Sequence, residues 1–200
     1  LTAFYKLIKN PISRIEVASA GGYLSYENIA DKATVAGVEV EVRKNLFVRP
    51  LSSAANGMNK LSFGLNGSYI YTNAKMPLAT VTTGSQLEGA APWIANFDLS
   101  HNFTKGTHSF INTLVFNYVS DKIYTIGTQG YQDIIEQGMM TLDFVSQAKL
   151  NKYVSLTLKA RNLLNPSYKL SRKANESGEK VVLSDYKKGI NISLGVSCTF

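Results

Sequence analysis

The chain has 200 residues, of which 44% are apolar and 18% charged, with 11 Tyr, 9 Phe and 15 Gly. This is too hydrophobic for a disordered segment, yet no apolar run reaches the roughly 18 residues that a membrane-crossing helix needs. One cysteine excludes a disulfide framework, and a net charge of +7 spread over loops and alternate positions, without a basic helix or stripe, does not point to nucleic acid.

The chain opens on Leu1 with a segment, Phe4 to Lys9, that already reads as a strand. No basic, apolar and cleavable leader pattern precedes it, and the expectation is a piece of a longer protein. From there onward the governing period is two. Val38, Val40 and Val42 alternate with Glu39, Glu41 and Arg43. Leu61, Phe63, Leu65, Tyr69 and Tyr71 oppose Ser62, Asn66 and Ser68. Trp93, Phe97, Leu99 and Phe103 oppose Asn96, Asp98, Ser100 and Asn102. Phe110, Leu114, Phe116 and Tyr118 form a stripe whose partner face carries Ile111 and Val115. Met140, Leu142, Phe144 and Leu150 oppose Thr141, Asp143, Gln147 and Lys149. Val154, Leu156, Leu158 and Ala160 oppose Ser155, Thr157, Lys159 and Arg161. The last stripe is Ile190, Ile192, Leu194, Val196, Cys198 and Phe200, against Asn191, Ser193, Gly195, Ser197 and Thr199.

These are eight strands, each with one oily and one small polar face, because successive strand side chains point to opposite sides. Stripes of about 9 to 12 residues suit a tilted membrane-crossing strand better than an ordinary globular one. Connections 10–30, 76–91, 120–137 and 163–188 are long, whereas Thr104–Gly106 and Asn151–Lys152 are tight and 44–59 is middling. Such alternation predicts an all-β, antiparallel, up-and-down barrel of the outer membrane, with short periplasmic turns, long extracellular loops and the C-terminus on the periplasmic side. Tyr71 and Tyr118 would mark one interface, Phe103, Tyr153 and Phe200 the other. The polar face is mostly Ser, Thr, Asn and Gly, too little bulk to fill a closed eight-stranded barrel. Eight strands of a wider, wet or plugged barrel are therefore expected; a complete small barrel of structural or adhesive role is the alternative.

Several segments resemble one family. Arg161-Asn-Leu-Leu-Asn-Pro-Ser-Tyr168 resembles the N-L-F-N-x-x-Y element of TonB-dependent outer-membrane receptors, with Leu164 where Phe is usual. Residues 33–42 resemble that family's T-x-G-V-E-x-E strand, residues 66–75 its next strand, and 194–200 its final one. The resemblance implies a barrel of about 22 strands. It also implies a plug and TonB box outside this chain, and energised uptake of a scarce nutrient. No catalytic residue, metal or cofactor is implied. The implied partners are the lipid bilayer and lipopolysaccharide, the protein's own plug domain, the TonB complex, the barrel-assembly machinery and a surface lipoprotein.

Four residue sets follow. Phe200, with Val196, Leu194, Ile192 and Ile190, resembles the signal read by the assembly machinery. Asn162, Leu163, Leu164, Asn165 and Tyr168 are the family motif. Glu39, Glu41, Arg43, Lys159 and Arg161 point to the lumen, where plug contacts are expected. Tyr124, Tyr131, Tyr168 and Tyr186 are candidate ligand contacts in loops, since aromatics favour binding surfaces. Loop 163–188 is net basic, which admits an anionic ligand. His101 and His108 read as solvated residues near a turn.

Overall fold

The computed structural model describes residues 1–17, 23–51, 57–75, 86–128, 130–174 and 178–199. Fourteen strands are present among them. In chain order they are β1 (Thr2–Lys9), β2 (Ile12–Glu16), β3 (Leu24–Asn28), β4 (Lys32–Pro50), β5 (Met58–Ala74), β6 (Trp93–Lys105) and β7 (His108–Val119). They continue as β8 (Lys122–Thr125), β9 (Ile134–Glu136), β10 (Met139–Lys149), β11 (Val154–Arg161), β12 (Ser167–Lys173), β13 (Lys180–Lys187) and β14 (Asn191–Cys198).

Eight of these form one antiparallel sheet in the order β1-β4-β5-β6-β7-β10-β11-β14. They are the eight expected from period two, and each pairs with its sequence neighbour among the eight. The sheet is open, and β1 and β14 are its edges. The other six strands lie inside the long connections. β13, β12, β9 and β8 make a four-stranded sheet, and β2 and β3 a hairpin.

Two expectations are corrected. Segment 44–50, read as part of a connection, is strand: β4 runs on to Pro50, which pairs with Met58. A bulge between Asn45 and Phe47 hides this, because the extra residue breaks the alternation on which the reading relied. The long connections 10–30, 120–137 and 163–188 were read as loops, yet each contains two short strands. Their apolar runs are too brief to give a membrane-length stripe, so period alone missed them.

Polarity sorts by face as the sequence implies. Val38, Val40, Val42, Leu65, Trp93, Met140, Ile192, Leu194 and Val196 are exposed on one face. On that face Tyr69 and Trp93 pack at 4.5 Å near the long connections, and Phe103 and Phe110 at 6.5 Å near the tight turn. The opposite face carries a ladder of small polar groups. Ser100 and Thr113 hydroxyls meet at 3.1 Å, Asn117 donates to Thr141 at 3.2 Å, and Asn96 to Asn66 at 3.2 Å. Gly64 leaves room there for the Asp98 carboxylate, which a Cβ at this position would push aside.

A row of polar side chains crosses the apolar face. The register sets Leu61 opposite His101, His101 opposite Asn112 and Asn112 opposite Ser146. His101 is therefore on the oily side, not in a solvated turn. Its ring nitrogen pairs with Asn59 at 2.8 Å, and Ser146 donates to Asn112 at 2.7 Å. Pairing lowers the cost of placing these groups among apolar neighbours.

The chain's packed core is not in the sheet but beyond its long-connection end. Ile15, Ile29, Ala30, Ala33, Ala74, Leu87, Ile123 and Ile126 form it. Only Ala33 and Ala74 come from wall strands, and they face each other across β4 and β5.

Candidate functional site

The layer over the long-connection end is built by mutual hydrogen bonding of four connections. Ile15 and Ile126 bridge β2 to the segment after β8, with Ile126 N donating to Arg14 O at 3.0 Å. Gly89 N donates to Ile123 O at 2.9 Å, which brings in the connection before β6. β12 pairs with β9, and Gln137 N donates to Lys169 O at 2.9 Å. Arg172 then reaches across to Glu16, with both side chains 15% exposed. Arg14 pairs with Glu88 at 3.7 Å, and Lys122 with Glu136 at 3.1 Å. These pairs are partly buried; Arg172–Glu16 and Arg14–Glu88 each join two connections and fix loop positions relative to one another, while Lys122–Glu136 ties β8 to β9 within one. None of Glu16, Glu88, Asp133 or Arg172 was singled out by sequence. A lone charge in a loop is solvated by default, and only its cross-loop partner shows otherwise.

The motif residues are brought together at the foot of the last connection. Asn162 has φ +59° and Asn165 φ +43°, left-handed positions that Asn tolerates better than most residues. Asn162 N donates to Asp143 Oδ1 at 2.8 Å, and its Nδ2 donates to the Gly189 carbonyl at 2.7 Å. Gly189 N donates back to Asn165 Oδ1 at 3.1 Å. Leu163 N donates to Leu142 O at 2.8 Å. The two asparagines thus staple the exit of β11 to the start of β14 and let the hairpin β12–β13 leave from a fixed base. Leu164 takes no part in these bonds and is exposed. Tyr168 continues into β12.

The four tyrosines are placed unequally. Tyr168 and Tyr186 are cross-strand partners with ring centroids 5.1 Å apart. The Tyr168 hydroxyl donates to Glu136 at 3.3 Å, and burial together with that carboxylate pushes its pKa up to about 12. Tyr124 lies under the Arg14 guanidinium at 4.3 Å, and Tyr131 faces Arg172 at 5.5 Å. All four touch cations or one another, within this layer.

The expected lumen residues lie on the polar face. Glu41 and Arg43 pair at 2.6 Å beside Asn66, Asn96 and Asp98. This pair is well exposed, so solvent screens it and it adds little to stability. Glu39 is opposite Thr2, and Lys159 is opposite Val145 and Ser193. Arg161 borders a depression of about 370 Å³ with Asp143, Asn162, Tyr168, Lys188 and Asn191. These five residues do not form one site; they are spread along the sheet from β4 to β11.

Ile190, Ile192, Leu194 and Val196 are exposed at the β14 edge, and Thr199 N donates to Tyr153 O at 2.8 Å. Phe200 lies outside the described residues. β14 runs toward the tight turns, since Cys198 pairs with Val154 beside the 150–153 turn.

A larger cavity, of about 630 Å³, opens in the loop layer between β8, β9 and the β12–β13 hairpin. Asp121, Ile123, Asp133, Arg172, Lys173 and Lys180 are among its lining residues.

Residues 1–163 match the family model described as TonB dependent receptor-like, beta-barrel. No curated protein and no solved structure matches the chain. The match spans β1 to β11 and ends inside the Asn162–Asn165 staple, so the last loop and β14 lie beyond it. An open antiparallel sheet with one oily and one polar face, long connections gathered at one end and this match agree: the chain belongs to the TonB-dependent receptor-like β-barrel family, outer-membrane proteins of transport.

Proposed function

We propose that this chain is the C-terminal wall and loop layer of a TonB-dependent receptor that takes up a scarce nutrient. One observation carries this reading: four long connections interlock into a packed layer at one end of a sheet whose inner face is thin and polar. A loop layer of that kind holds a capture surface over a lumen. The polar face, rich in small groups, supports a wide lumen filled by a plug, in a barrel of about 22 strands. Glu39, Glu41, Arg43, Lys159 and Arg161 would meet that plug. The wall makes and breaks no bond; force comes from the TonB complex acting on the plug.

In this reading the long-connection end is extracellular and β14 ends at the periplasmic face. The assembly machinery would then meet the oily face of β14, along Ile192, Leu194 and Val196. Lipopolysaccharide lies beside the loop layer, and a surface lipoprotein could cover it. The alternative of a complete eight-stranded barrel has less support, because β1 and β14 do not pair and the inner face lacks bulk.

The test is growth of cells carrying or lacking the full-length receptor on a panel of scarce nutrients. The expected result is a nutrient on which loss of the receptor slows growth, with the same deficit when TonB is removed. A deficit that persists at full size in cells already lacking TonB would overturn the reading.

A further inference from the structure

Charge is sorted by sign across the wall. Every Asp and Glu of its eight strands, namely Glu39, Glu41, Asp98 and Asp143, is set by register on the polar face. Cations are not excluded from the apolar face. Arg49 is opposite Asn59, which is opposite Phe103, so Arg49 stands on that face near the tight-turn end. Lys44 is on the same face opposite Phe63, four residues, roughly 13 Å, further into the stripe than Asn59. A cation in a lipid-facing stripe is costly unless it reaches the interface or an anion. Lys44 and Arg49 are exposed, and neither has an ion-pair partner among the described residues. Arg49 lies over the Phe47 ring at 5.6 Å. The flexible stem of Lys44 can carry its ammonium back toward the tight-turn end. On the strands beside them, Asn59 Oδ1 pairs with the His101 ring at 2.8 Å, which leaves the Asn59 amide hydrogens without a partner among the described residues. Two cations and an amide donor thus gather around β5 on a face that has no carboxylate. Phe63 and Phe97 stack at 6.4 Å and continue the stripe away from the tight turns.

We infer that Lys44, Arg49, Asn59 and His101 hold the phosphate of an acidic phospholipid whose acyl chain lies along Phe63 and Phe97. Basic clusters beside a membrane-crossing surface recognise anionic headgroups in this way. The inference goes beyond the receptor reading and takes from it only the side: with the long connections outside, the patch meets the periplasmic leaflet. The occupant is a lipid and not free phosphate, because the donors stand at the foot of an apolar stripe and not in a water-filled cavity.

The test is photolabelling of the full-length receptor in phosphatidylcholine vesicles that hold a small fraction of phosphatidylglycerol with a photoreactive acyl chain. Labelled peptides are mapped, so other lipid sites on the barrel do not obscure this one. Labelling of β5 and β6 around Phe63 and Phe97 should be well above that given by photoreactive phosphatidylcholine at the same fraction, and inorganic phosphate should not displace it. Lys44→Gln with Arg49→Gln should lower it by about tenfold or more. Asn59→Leu changes no charge and sets an apolar side chain against lipid; it should lower labelling by about threefold while heat-modifiable migration is kept. Lys9→Gln with Lys32→Gln removes as many charges from the other end of the same face, where the two are cross-strand partners, and should leave labelling unchanged. Equal labelling by the two lipids, displacement by inorganic phosphate, or an unchanged Lys44 and Arg49 double variant overturns the inference. So does an equal loss in the Lys9 and Lys32 variant, or a protein crosslinked to the patch in place of lipid.

Discussion

The wall and the loop layer obey opposite rules within one chain. In the wall, large apolar side chains such as Leu194 and Ile192 are 71% and 68% exposed, and the sheet has no interior of its own. In the loop layer Ile126 and Ala30 are 1% and 3% exposed, and charged groups pair across connections. The layer is folded as a small water-soluble domain is, by burial of apolar surface. The wall is finished by lipid, where exposed apolar groups carry no penalty and the strands between β1 and β14 satisfy one another's amides. Stability in the two regions should therefore respond to different substitutions.

The largest separation is expected from Ile126→Ala. Ile126 is fully buried and its backbone joins β2 to the third connection, so the loop layer should lose about 2–5 kcal/mol. Hydrogen exchange should rise in 12–16 and 122–136, while the wall keeps its heat-modifiable migration in detergent gels. Loss of that migration would mean that the two regions fold as one.

The converse change is Leu114→Arg on the oily face, paired in register with Leu99 and Phe144. About 2–4 kcal/mol should be lost in urea unfolding from lipid vesicles, with protease resistance of the loops unchanged. A silent substitution would remove this face from lipid.

Asn162→Leu tests the joint between the regions. It removes the bond to Gly189 and strains a left-handed position, for an expected loss of about 1–3 kcal/mol. Protease should cut the β12–β13 hairpin first, and Asn162→Gly should restore part of the loss because glycine accepts the backbone angle.

The smallest effect concerns Tyr168. Its pKa is raised from 10.0 to about 12 in the fold, so the folded form holds the proton more tightly than the unfolded form does. The hydroxyl's contribution is whole below pH 10 and is lost as pH rises through 12. Ultraviolet titration should show one tyrosinate appearing late; Tyr168→Phe should abolish that late step, and Glu136→Gln should bring it earlier, with burial keeping part of the rise. A late step that survives Tyr168→Phe would assign it elsewhere.

Much of the wall was legible because a lipid-facing sheet has to write its exposure into the sequence. Each residue's neighbour across the face is lipid or water, so period two alone gives strand, face and order. Even here the bulge at Asn45–Phe47 lengthened β4 beyond its stripe, and His101, Asn112 and Ser146 share a row that only register reveals. The motif of Asn162 and Asn165 was recognisable as a pattern, but its work as a staple depends on Gly189, which lies 27 and 24 residues further along the chain.

The sequence by itself determined the eight strands, their faces, the parity of their connections and the family, because these follow from local alternation and short motifs. Only the tertiary structure decided the loop layer: that Arg172 meets Glu16, that Ile15 meets Ile126, and that Lys173 and Lys180 stand opposed over a cavity. The physical reason is range. Arg172 and Glu16 are separated by 156 residues, and neither carries any local mark of the other.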